Sequence, residues 1–128
     1  MQQKHYTLAI ETRGSHLFVH ARGVRTRATV TAMTMEIFDT ALANRLSKIL
    51  IDVRELKGRL GIMDSYLVVT EVFEKLRGKG LHKAAIVDDQ IFSFRNWFLE
   101  TAARNRGFDL RIFTGHEEAL EWLDQFNF

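Results

Sequence analysis

The sequence contains no cysteine and no proline. The missing cysteine excludes disulfides, thiolate catalysis and cysteine-based zinc sites. Because there is no proline, turns have to be built from Gly, Asn, Asp or Ser, and the eight glycines mark candidate element boundaries. No apolar run approaches the roughly 20 residues of a membrane helix, and the first residues show no signal-peptide pattern. We therefore expect a soluble cytoplasmic protein without membrane insertion.

The 128 residues have the size and composition of a single domain, which we place at residues 1–128. The apolar fraction is 46% and the charged fraction 27%, so a core can form without a metal or a disulfide. The net charge of +2 hides a basic first half and an acidic second half. This bias is too dispersed to predict nucleic-acid binding. It is consistent with a homodimer, since two-fold dimers are the commonest oligomers.

Apolar spacing predicts strands that alternate with helices after an initial β-hairpin. Thr114 and Glu117 fit a capping box for the last helix, and residues 54–61 are interpreted as a loop. The order β-β-α-β-α-β-α-β-α predicts an α/β fold, a mixed five-stranded sheet with about four helices and right-handed parallel crossovers. The predicted elements are strands 7–11 and 17–21, helix 29–45, strand 48–53, helix 62–76, strand 84–87, helix 94–102, strand 110–113 and helix 115–126.

No pattern of residues indicates a catalytic centre. A nucleotide-binding glycine loop and a Gly-x-Ser-x-Gly nucleophile elbow are both missing from the sequence. The histidines are not spaced as metal ligands, because His16 and His20 would lie about 13 Å apart along one strand. We therefore predict that the chain is not an enzyme and uses no metal and no cofactor.

Charged residues follow two of the predicted parallel strands. Asp52 and Arg54 close one strand, and Asp88 and Asp89 close the next. Open α/β sheets bind ligands at this carboxyl edge, so these side chains are candidates for contact with a partner or ligand. The alternative interpretation is that Asp88 or Asp89 only caps the following helix.

Several segments together resemble a known family. The chain is similar to the SpoIIAA-like family, small stand-alone bacterial proteins with the STAS-type fold of anti-sigma-factor antagonists. The resemblance implies a mixed sheet flanked by helices and a role in binding rather than catalysis. The segments that carry it are Ile49–Arg54, Ala85–Asp89, Trp97, Arg111–Phe113 and Glu117–Leu123.

The family resemblance also brings an expected difference. In the antagonists, a partner kinase phosphorylates a serine at the start of the helix after the central strand, and added charge there can switch a complex. Residues 57–62 of this chain contain no serine or threonine, and Ser65 falls about one turn too late. We therefore do not expect this phosphorylation switch.

Two functions are compatible with these observations. The leading hypothesis is a non-catalytic, regulatory protein-interaction module that binds an unidentified protein through residues 54–64 and 88–92. The alternative is a small-molecule or lipid-binding module, with a pocket at the same edge near Phe92, Trp97 and Ile62. An apolar cavity would favour the alternative, although core packing is expected to use all the apolar side chains. The residues expected to bind the partner or ligand are Asp52, Arg54, Arg59, Asp64, Asp88, Asp89, Phe92 and Trp97.

Overall fold

The strands of the protein form a single mixed sheet, as predicted. The computed structural model describes residues 5–89 and 93–125. Its strands are β1 (Tyr6–Arg13), β2 (His16–Val24), β3 (Lys48–Lys57), β4 (Lys83–Val87) and β5 (Asp109–Phe113). They lie in the order β1-β2-β3-β4-β5, in which β1 and β2 are antiparallel and the remaining pairs are parallel. The helices are α1 (Arg27–Ala43), α2 (Ile62–Leu76), α3 (Ser93–Arg104) and α4 (His116–Asp124).

Helices cover both faces of the sheet. Since side chains alternate along a strand, neighbouring residues of β3 enter different cores. Ile49 and Ile51 pack towards α1, α2 and α3, in a core that holds the stacked rings of Phe38, Phe73 and Phe108. Leu50 instead packs towards α4 with Ala85, Val87, Ala119, Trp122 and Leu123. We call these the three-helix face and the α4 face.

The predicted loop at residues 54–61 is wrong in its first half, because β3 continues to Lys57. Beyond an irregularity in register near His20 and Arg22, β2 and β3 pair again, and Leu56 is buried against Ala21 and Met33. Because most residues in this part of β3 are charged, the hydrophobic pattern does not indicate a strand there.

Among the described residues, none of the helices has the length and hydrophobicity needed to span a membrane.

The predicted capping box of α4 is also wrong. The N-cap residue is Gly115, which has no side chain to accept a hydrogen bond from the first turn. The helix starts one residue later than the pattern requires, so Glu117 is not the third helical residue. The C-terminal end of α4 is held from the sheet instead. Lys83 is buried, and its Nζ donates to the carbonyl oxygens of Trp122 (2.8 Å) and Gln125 (3.0 Å).

Candidate functional site

The carboxyl edge of the parallel strands gathers charged side chains from three connections. Arg25 lies between β2 and α1, Arg59 lies between β3 and α2, and Asp88 directly follows β4. The three residues are far apart in the sequence and meet because parallel crossovers bring these connections to one edge of the sheet. We call Arg25, Arg59, Asp88 and Arg95, which joins them from α3, the arginine cluster.

Arg59 and Asp88 form the centre of the arginine cluster. Arg59 donates from Nη1 to Asp88 Oδ2 at 2.6 Å and from Nη2 to Asp88 Oδ1 at 2.8 Å, a two-pronged charge-assisted contact. The Asp88 side chain is 10% exposed and that of Arg59 is 29% exposed. Burial raises the pKa of the Asp88 carboxyl, but hydrogen bonds and charge from Arg59 outweigh burial and lower this pKa below its ordinary value.

Arg25 ties the connection after β3 to the edge of the sheet. Its guanidinium donates to the carbonyl oxygens of Val53 (3.1 Å), Leu56 (2.9 Å) and Gly58 (2.8 Å). It also lies 3.7 Å from Asp88 Oδ2. Burial, followed by the nearby charge of Arg59, lowers the pKa of Arg25.

Arg95 connects α3 to the first turns of α2. It donates from Nη2 to Ser65 Oγ at 3.0 Å, and Ser65 is buried. Burial lowers the pKa of Arg95, and the charge of Arg59 lowers it further. Sequence reasoning missed Arg25 and Arg95, because each is a single arginine with no spacing that separates it from a solvated one.

An apolar cavity of 160 Å³ lies beneath the arginine cluster, on the three-helix face. Its walls come from β3, β4 and β5 and from all three helices of this face. The expectation that core packing would use all the apolar side chains is therefore wrong on this face. Representative apolar residues of the wall are Met33, Phe38, Ile51, Val69, Ala84 and Ile86.

The polar residues that line the cavity are the arginine cluster, Thr34, Ser65 and Asn96. Asn96 is only 8% exposed, although it is polar. Its side chain forms no hydrogen bond with any residue in the described ranges. The cavity thus joins an apolar interior to a charged end at the carboxyl edge of the sheet.

Asp52 and Arg54 are outside this cluster. Arg54 donates to both carboxylate oxygens of Asp52, at 3.0 and 2.7 Å. Asp52 pairs in register with His20 and Val87, and Val87 belongs to the α4 face. Burial raises the pKa of Asp52, but the hydrogen bonds from Arg54 outweigh burial and lower it. The pair therefore lies across the sheet from the cavity.

The other predicted residues are more dispersed. Asp89 is exposed and accepts from Arg59 Nη2 at 3.2 Å. Asp64 is exposed in the first turn of α2, where a negative charge is favourable. Trp97 is 58% exposed and is not part of the cavity wall. Phe92 is outside the described residues. Within the described ranges, no group of three histidine, aspartate or glutamate residues could hold a metal ion.

Comparison with solved structures identifies the fold. An uncharacterized protein of the DUF3478 family from Shewanella loihica, with a SpoIIAA-like fold, matches 96% of this chain and 97% of its own, with a TM-score of 0.58 and 22% identity. The chain has the SpoIIAA-like fold. An anti-sigma factor antagonist from Mycobacterium paratuberculosis matches over 94% of this chain and 95% of its own, with a TM-score of 0.60 and 16% identity.

Comparison at the level of sequence adds nothing to this result. No protein-family model matches the chain, and no curated protein matches it significantly. The SpoIIAA-like fold predicted from the segments around β3, β4 and α4 is therefore confirmed by structure rather than by sequence similarity.

Proposed function

We propose that the chain is a non-catalytic binding module that takes up a small apolar group in the cavity of the three-helix face. The cavity carries this proposal. Well-packed protein interiors contain few voids larger than a water molecule, and an apolar cavity of about 150 Å³ is large enough to hold benzene. The cavity measures 160 Å³ and lies under the carboxyl edge of a parallel sheet, where α/β proteins bind ligands. These features favour the small-molecule alternative over a filled core.

The chemistry of the cavity supports binding without catalysis. A general base works best when its pKa lies close to the working pH. Arg59 instead keeps the pKa of Asp88 below its ordinary value. Ser65 is hydrogen-bonded to Arg95, a group that cannot act as a base for it. We also propose that the chain is a single domain that works in the cytoplasm, in keeping with the lack of cysteine.

A titration followed by methyl NMR tests this proposal. We expect benzene and 1-hexanol, added separately, to give saturable shifts at the methyl groups of Val69 and Ile86, which line the cavity. The methyl groups of Leu50 and Leu123, on the α4 face, should remain unchanged and serve as internal controls. Absence of saturable shifts, or equal shifts on both faces, would contradict the proposal.

A second candidate function is regulatory protein binding, and the exposed apolar side chains near the starts of α2 and α3 favour it. Met63 is 64% exposed, and Ile62 and Trp97 are exposed as well. The neighbour from Mycobacterium is by name an anti-sigma factor antagonist, a protein that acts against another protein. We do not extend the phosphorylation switch to this chain, because residues 57–62 have no hydroxyl side chain and Ser65 is buried.

Affinity capture with matched variants tests this second function. A specific protein partner should be captured by the wild type and by Thr7→Asp, which alters an exposed residue of β1. The partner should be lost with Met63→Asp, since a charge would replace the apolar contact. Capture that is equal for the two variants would count against this surface.

A further inference from the structure

The polar end of the cavity carries more positive than negative charge. Among the described residues of the cavity wall, three are arginines, and Asp88 is the one carboxylate. Asp89 also contacts Arg59, but its side chain is 58% exposed and lies outside the wall. Buried charges are costly unless oppositely charged groups accompany them. A second anionic group beside Asp88 would therefore balance part of the remaining positive charge of the cavity wall.

Two buried polar side chains that line the cavity together with Arg95 could donate hydrogen bonds to such a group. Ser65 Oγ accepts from Arg95, and within the described ranges nothing accepts the hydroxyl proton of Ser65. Asn96, on the same helix as Arg95, lines the cavity without a side-chain hydrogen bond to any described residue. Carboxylates in proteins accept hydrogen bonds from hydroxyl groups, amide N–H groups and guanidinium groups.

We propose that the ligand is a small monocarboxylate, whose apolar part fills the cavity and whose carboxylate binds Arg95, Ser65 and Asn96. This inference rests on the proposed binding function. The volume of 160 Å³ limits the apolar part to about the size of a benzene ring. Benzoate and short aliphatic acids such as hexanoate have this size, and long-chain fatty acids are too large for the cavity.

Asp88 belongs to the arginine cluster and would compete with the carboxylate of the ligand for the arginines. Its carboxylate already accepts two hydrogen bonds from Arg59 and lies 3.7 Å from Arg25. A second carboxylate in the cavity would be repelled by Asp88 and attracted by the arginines. Neutralising Asp88 should therefore strengthen binding of a carboxylate, an effect opposite in sign to the loss of an arginine.

Isothermal titration calorimetry with paired probes tests this inference. Benzoate and hexanoate are compared with the neutral benzamide and hexanamide, which have nearly the same shape, and with palmitate. We expect the two small acids to bind about tenfold or more tightly than their amides, since charge-assisted hydrogen bonds are stronger than neutral ones. Palmitate should not bind in the cavity.

Four variants identify the residues that hold the carboxylate. Arg95→Gln should weaken benzoate binding about tenfold or more, and Ser65→Ala should weaken it by a smaller factor. Ser65→Ala keeps the test available if Arg95→Gln does not fold. Asp88→Asn should strengthen benzoate binding. The control Arg54→Gln alters the pair across the sheet and should leave affinity unchanged.

The outcomes separate this inference from the proposed function beneath it. If the amides bind as tightly as the acids, or if Asp88→Asn and Arg95→Gln weaken benzoate binding equally, the carboxylate assignment is overturned while the cavity remains a binding site. If neither charged nor neutral probes bind, both the assignment and the proposed function fail.

Discussion

The two faces of the sheet are built by the same strands and serve different purposes. On the α4 face, Leu50 and Val87 pack against α4, and Lys83 holds the end of that helix through its carbonyl oxygens. On the three-helix face, Ile51 and Ile86 border a cavity that ends in the arginine cluster. None of the residues in the α4-face core belongs to the cavity wall.

This comparison indicates a division between stability and binding. A single helix can lie flush against a sheet, so the α4 face is closed by one element. Three helices of different length that meet over one face leave space where their surfaces diverge. We infer that the α4 face mainly stabilises the fold and that the three-helix face gives up some packing to provide a site.

The largest effect should follow from emptying the α4 face. Leu123 is fully buried, so Leu123→Ala should lower the free energy of unfolding by about 2–5 kcal/mol, the usual cost of a new internal void. Val69→Ala, beside the existing cavity, should cost less than half as much. Equilibrium unfolding in urea measures both values. Equal losses for the two variants would contradict the division between the faces.

A smaller effect should follow from adding volume at neighbouring positions of β4. Ala84 and Ala85 are both fully buried, but Ala84 faces the cavity and Ala85 faces α4. Ala85→Leu should lower the free energy of unfolding by about 1–3 kcal/mol, since the core there is filled. Ala84→Leu should be tolerated and should abolish the shifts caused by benzene. Thermal unfolding and the NMR titration check the pair, and similar destabilisation at both positions would show that the cavity is not usable space.

The arginine cluster should make stability depend on pH. The pKa of Asp88 in the folded chain is lower than its ordinary value of 3.8, so its contribution is present above that value and is lost as pH falls through the folded pKa. At neutral pH, Asp88→Asn should cost about 1–2 kcal/mol, through loss of charge-assisted hydrogen bonds. The difference between wild type and variant should shrink in acid. Unfolding curves from pH 7 to pH 2 measure it, and a constant difference would be inconsistent with the ion pair.

The smallest effect should come from the charged pair on the α4 side of the edge. The Asp52 side chain is buried, but it also accepts from the backbone N–H of Arg54 at 3.1 Å, a hydrogen bond that Arg54→Gln keeps. The Arg54 side chain is 44% exposed, and ion pairs of exposed side chains contribute at most about 1 kcal/mol. Arg54→Gln should therefore change the free energy of unfolding by less than that amount. A loss as large as that of Asp88→Asn would show that the Asp52–Arg54 pair stabilises the fold as much as the arginine cluster does, and would contradict this prediction.

The order of the elements could be predicted from the sequence, because Leu17, Val19 and Ala21 alternate as in a strand, and residues 48–53 and 84–87 are short apolar runs between helical patterns. The C-terminal end of β3 could not, since Leu56 is the one apolar residue among the last four of the strand, and the other three are charged. The same limit applies to the site. Arg59, Asp88 and Asp89 stand out because they follow strands, and the structure brings them together.

The cavity and its remaining residues could not be predicted, for a different physical reason. The volume of a cavity depends on the distance between the helices and the sheet. The spacing of apolar residues in the sequence does not report that distance. Arg95 and Ser65 meet only because α2 and α3 pack side by side. Core side chains such as Val69 and Ile86 have the same pattern whether they fill a core or border a cavity.

A crystal structure of the protein grown with benzoate tests the central claim most directly. The claim is that the cavity of the three-helix face binds a small ligand through its arginine-rich end. We predict the ring between Ile51, Val69 and Ile86, with its carboxylate within hydrogen-bonding distance of Arg95. A cavity closed by inward movement of the helices, or benzoate found only on the outer surface, would contradict the claim.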